Sequence, residues 1–158
     1  MTALPNIPRL YTALAECLAV GIYALPLGIR FGKTATIAAS AAWALALSAF
    51  LQATGRVPLA WWIPCMAAAV GIQYLYLWVT RTISLLEAGY VCARAFVLAE
   101  LAASAEWQLH CFLWPQRSGA DSLSLLLLVV VYGGVFGCIW VLEHKHKSPK
   151  GRIVISGK

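Results

Sequence analysis

Five apolar stretches, residues 10–27, 34–53, 58–79, 83–105 and 123–142, take up most of this sequence, and three of them carry no charged side chain. A helix rises 1.5 Å per residue, so about 20 apolar residues cross the hydrocarbon core of a bilayer. Lipid offers no hydrogen bonds, and a segment of this length satisfies its own backbone there only as a helix. The chain is therefore expected to be an all-α, polytopic membrane helix bundle of about five transmembrane helices. Composition agrees: 61% of residues are hydrophobic and 11% charged, where an ordinary soluble domain carries about 25% charge. One soluble core of this length has no room for so much apolar surface. The transmembrane domain covers residues 1–143, and residues 144–158 form a basic tail too short to fold alone.

Charge fixes an expected orientation. The connections are short, so neighbouring helices run antiparallel. If the tail is inside, Arg30, Lys33 and Arg81 join Lys145, Lys147, Lys150, Arg152 and Lys158 there, while Arg9, Arg56 and Arg117 lie outside. Lys and Arg concentrate on the cytoplasmic side, which places the N-terminus out and the C-terminus in. Tryptophans anchor at membrane–water interfaces. Trp61, Trp62, Trp107 and Trp114 fall at the outer interface in this topology, Trp78 and Trp140 at the inner one. The basic tail is expected to lie against anionic lipid; it does not call for nucleic acid as a partner. The first stretch holds Glu16, follows a lone Arg9 and lacks a small-residue cleavage site, so it is expected to stay as a helix and not to be removed as a signal peptide.

Ionisable groups inside such stretches are costly and face a protein interior or a water-filled cavity, which makes Glu16, Arg94 and Glu100 candidate functional positions. The fourth stretch is the most polar, with Glu87, Arg94, Glu100 and Ser104, then Glu106 and His110 just beyond. Its many alanines let helices approach closely, so a central place in the bundle is expected. Glu16 and Glu100 sit roughly 7 to 9 Å below the outer edge at 1.5 Å per residue, and Arg94 about one and a half turns deeper. Arg94 reaching outward is expected to pair with Glu16, Glu100 or both. Such a pair is either glue for helix packing or a ligand, proton or ion site that works as a latch.

Catalytic signatures are missing. Glu106, His110 and Cys111 are zinc-capable side chains, but the Glu-x-x-x-His spacing differs from the two-histidine zincin pattern and no further ligand is near. No metal site is expected, and Glu106 and His110 are expected to be interfacial polar residues near a helix end. No nucleophilic triad or glycine-rich phosphate loop occurs, so neither an enzyme nor a cofactor is expected. Cys17, Cys65, Cys92, Cys111 and Cys138 lie in or beside apolar segments without a CxxC pair. They read as small buried hydrophobes, with a disulfide between Cys65 and Cys111 as the alternative.

Two stretches carry a family likeness. Asn6-Ile-Pro-Arg-Leu-Tyr-Thr-Ala-Leu-Ala-Glu16 and Cys92-Ala-Arg-Ala-Phe-Val-Leu-Ala-Glu-Leu-Ala-Ala-Ser-Ala-Glu-Trp-Gln-Leu-His-Cys-Phe112, with the order of spans, resemble the N-terminal membrane region of sensor histidine kinases of the GHKL ATPase class from gut bacteria. The resemblance covers the chain to about Glu143. It implies a signal-input domain that precedes a dimerisation helix and an ATP-binding kinase domain, with a homodimer expected by analogy. The chain departs from the full pattern: it has no phosphoacceptor-histidine helix, asparagine box or glycine-rich ATP lid, and His144 and His146 follow a span directly. The resemblance thus implies a truncated or split sensor without kinase activity, acting with a downstream kinase domain or kinase chain. A second reading is a small transporter or substrate-binding membrane subunit that uses Glu16 and Glu100. A third, an intramembrane hydrolase built on Glu100, Glu106 and His110, lacks the ligand set it needs.

Overall fold

A computed structural model describes residues 7–114 and 122–145. It contains five α-helices, α1 (Arg9–Ala24), α2 (Lys33–Ala53), α3 (Leu59–Thr80), α4 (Leu85–Leu113) and α5 (Ser122–Lys145), with a single 3-10 turn at Thr54–Arg56. No β-strand occurs among the described residues, and the fold is an all-α helix bundle. Lys33–Ala53, Ala60–Thr80 and Ser122–Glu143 are long and apolar enough to cross a membrane. They mark a membrane protein. The outer-loop charges Arg117 and Asp121, and the tail from His146 onward, lie outside the described residues.

Local chemistry sets the helix ends. The expected first span reached residue 27, but α1 stops at Ala24: Leu25 still has helical angles and its amide donates to the Gly21 carbonyl at 2.9 Å, and Pro26 then has no backbone N–H to carry the ladder on. Ser84 starts α4: its hydroxyl accepts from the Glu87 amide at 3.2 Å, and the Glu87 carboxylate accepts from the Ser84 amide at 2.8 Å. This reciprocal capping box satisfies two amides that a helix start leaves open, so Glu87 serves as the cap of α4. The expected fourth span ended at residue 105, yet α4 runs through the aromatic segment to Leu113.

Helix α4 packs against α1, α3 and α5, and its most extensive partner is α1. Ala15 and Ala19 of α1, and Ala95, Ala99, Ala102 and Ala103 of α4, are fully buried. Small side chains allow backbones to come this close, which explains the central place of the charged helix. The ends of α1 and α3 also meet. The Arg30 amide donates to the Thr80 carbonyl at 3.0 Å and the Thr82 amide to the Gly28 carbonyl at 2.9 Å. The loops expected on the inner side therefore touch, with Arg30 exposed and Arg81 buried. All five cysteines are free thiols, so Cys65 and Cys111 form no disulfide.

Candidate functional site

The polar groups fall into two sites at opposite ends of the α1–α4 interface. The site at the end expected to be inner, called the inner site below, centres on Arg94. Its guanidinium lies over the Tyr23 ring at 4.5 Å and the Tyr90 ring at 5.5 Å, and its Nη2 forms an ion pair with Glu143 Oε1. Arg94 thus joins α1, α4 and α5. Arg94 and Glu143 are 37% and 38% exposed, because both border a cavity of about 360 Å³ that Tyr23, Pro26, Tyr90 and Trp140 also line.

This pairing corrects the expectation that Arg94 reaches outward to Glu16 or Glu100. Side chains on a helix lean toward its N-terminus, and the N-terminus of α4 is at the inner end in the expected topology. A long arginine therefore leans inward. Its partner was legible in the hairpin register: Arg94 and Glu143 stand nearly equidistant from the middle of the loop 115–121 that joins α4 to α5. Glu143 is thus a partner in the site and not only the boundary of the last span, and Tyr23 and Tyr90 join it there although neither stands out in the sequence.

The outer site holds the remaining acids. Glu16 and Glu106 are fully buried, and neither carboxylate has a hydrogen-bond partner among the described residues. The helical spacing Arg9, Glu16, Tyr23 repeats every seven residues, so all three share one face of α1. Glu100 and Arg9 line a pocket of about 170 Å³ with Thr12, Trp62 and Met66. Arg9, not Arg94, is the cation beside Glu100.

Glu106 and His110 lie in the last turns of α4 and are buried there, His110 with 4% exposure. The spacing 107, 110, 114 explains it. Trp107 stacks on His110 with ring centroids 5.1 Å apart, and Trp114 closes the other side at 5.7 Å. These two tryptophans cover a histidine, whereas Trp61, Trp62 and Trp140 are exposed on the helix surfaces, as anchors would be. Gln73, also missed in the sequence, is fully buried in α3 with both amide atoms unpartnered. Among the described residues no group of three His, Cys, Asp or Glu is placed to hold a metal ion.

Comparison of the chain with family models, with curated proteins and with solved structures returns no match.

Proposed function

We propose that the chain is a multi-pass, non-catalytic sensory or regulatory module of a bacterial cytoplasmic membrane, with five spans, N-terminus out and C-terminus in, acting on a kinase domain or kinase chain of the GHKL class. One observation carries the reading: a single half-exposed side chain, Arg94, ties the end of α1 and the start of α4 to the end of α5. Such a clamp has an obvious second state, in which Arg94 leaves Glu143 and the end of α5 is released. A signal shifts the balance only by binding one state better than the other. Hydrogen–deuterium exchange in lipid nanodiscs tests this. Arg94→Glu sets two acids against each other and is expected to speed exchange at residues 139–145 selectively. Unchanged exchange there removes the clamp. Co-purification of a histidine kinase with the chain is the matching test of the partner.

A second reading, a small transporter or substrate-binding membrane subunit using Glu16 and Glu100, draws on a separate observation. Glu16 is fully buried without a hydrogen-bond partner and lies on α1 between the outer pocket at Arg9 and the inner cavity at Tyr23. Intramembrane acids often serve proton or cation coupling. Proton or cation flux into liposomes that is lost in Glu16→Gln supports transport, and equal flux in both rules it out.

A further inference from the structure

The inner cavity does not end at Arg94. An open apolar groove of about 400 Å³ runs on along α4, lined by Val97, Leu98 and Leu101, and it shares Tyr23, Tyr90 and Arg94 with the cavity. Val97 is 66% and Leu101 60% exposed, so the groove faces the side where lipid tails lie. The two spaces form one continuous site with a charged head end and an apolar tail end. At the head end one cation and one anion stand side by side, each more than a third exposed. An anionic ligand there meets the Glu143 carboxylate, and a cationic ligand meets Arg94. A group with both charges can alternate with the pair, its anion on Arg94 and its cation on Glu143. Tyr23, Tyr90 and Trp140 surround the pair with amphipathic rings of the kind found at headgroup level.

We propose that this site binds a zwitterionic phospholipid of the inner leaflet, with its phosphate on Arg94, its ammonium on Glu143 and one acyl chain along Val97, Leu98 and Leu101. The proposal rests on the regulatory reading only in making this lipid the ligand that opens or holds the clamp; binding itself is independent of it.

Native mass spectrometry of the full chain, released from detergent with chain-matched phosphatidylethanolamine, phosphatidylcholine and phosphatidylglycerol, reads the site directly. One phosphatidylethanolamine is expected to be retained about tenfold more tightly than phosphatidylglycerol, as one charge-assisted hydrogen bond implies. Glu143→Gln leaves the phosphate contact and removes the ammonium contact, so it is expected to abolish or invert that preference. Leu101→Trp fills the groove and is expected to weaken all three lipids alike. Because Leu101 faces outward, its variant also controls for folding, read as an unchanged helical circular dichroism spectrum. Equal retention of the three lipids by the wild type, or an unchanged preference in Glu143→Gln, overturns the proposal while leaving the clamp intact. Selective binding with unchanged exchange at the end of α5 upholds the lipid site and removes the clamp.

Discussion

At the scale of single residues, the two kinds of charge in the bundle should respond oppositely to mutation. Arg94 and Glu143 are partly exposed, so their pair is screened and its worth is modest. A double-mutant cycle with Arg94→Gln and Glu143→Gln, read by unfolding in mixed micelles, is expected to give a coupling of about 0.5 to 1 kcal/mol. Coupling near zero means that the pair adds nothing to stability and that solvent screening offsets the contact. Glu16 is different, because nothing in the described structure offsets its burial. Burying a polar group without a hydrogen bond costs about 1 to 3 kcal/mol in proteins, and an apolar group of similar volume removes that cost. Glu16→Met is therefore expected to raise stability by about 1 kcal/mol in the same assay. A loss of stability instead would show that Glu16 holds the bundle together and is not kept for function. These residues also show what a sequence hides. Glu16, Arg94 and Glu100 stand out by composition alone. Their partners depend on which way a helical side chain leans and on hairpin register, and apolar periodicity encodes neither.

At the scale of helices, the five elements and their order follow from apolar length, and their ends from Pro26, Ser84 and Glu87. The central place of α4 was legible in its alanines, because an interface that excludes lipid needs small side chains. What composition did not reveal is that α1, of only 16 residues, is short for a crossing and shelters against the 29-residue α4. Their contact is the most sensitive seam of the fold. Ala95 and Ala99 are 0% exposed, so a leucine at either position has no space without pushing a neighbouring helix away. Overpacking of this kind costs about 1 to 3 kcal/mol. Ala99→Leu is expected to fall in that range by micelle unfolding, whereas Leu86→Ala, at a position 78% exposed, should change stability by less than about 0.5 kcal/mol. Equal effects at the two positions would place the seam elsewhere. Gly28 belongs to the same scale: a Cβ there would run into Thr82 Oγ1 in the joined inner loops.

At the scale of the whole molecule, the open question is whether the charged helices cross the membrane with the apolar ones. By length and apolarity alone only α2, α3 and α5 qualify. The contacts say more. Helix α4 meets α3 where Cys92 Sγ contacts the Val70 carbonyl at 3.6 Å, and meets α5 at Arg94–Glu143. Tyr132 in the middle of α5 donates to the Tyr11 carbonyl of α1 at 2.9 Å. Helices packed lengthwise on crossing neighbours share their depth, and the five-span proposal rests on this: it takes α1 and α4 through the bilayer with α2, α3 and α5. With Arg30, Lys33 and Arg81 held inside, three spans and five spans both put Lys33 and Thr82 inside and Gly55 outside, although three spans then put the basic tail outside. They disagree about residues 115–121, which lie on the Thr82 side if α4 does not cross and on the Gly55 side if it does. Alkaline phosphatase, active only outside, distinguishes them when fused after each position. Five spans require activity after Gly55 and Gly119 and silence after Lys33 and Thr82. Silence after Gly119 with activity after Gly55 would leave α4 on the inner surface, and Arg94 would then be a surface charge with no reason to be sheltered by two tyrosines.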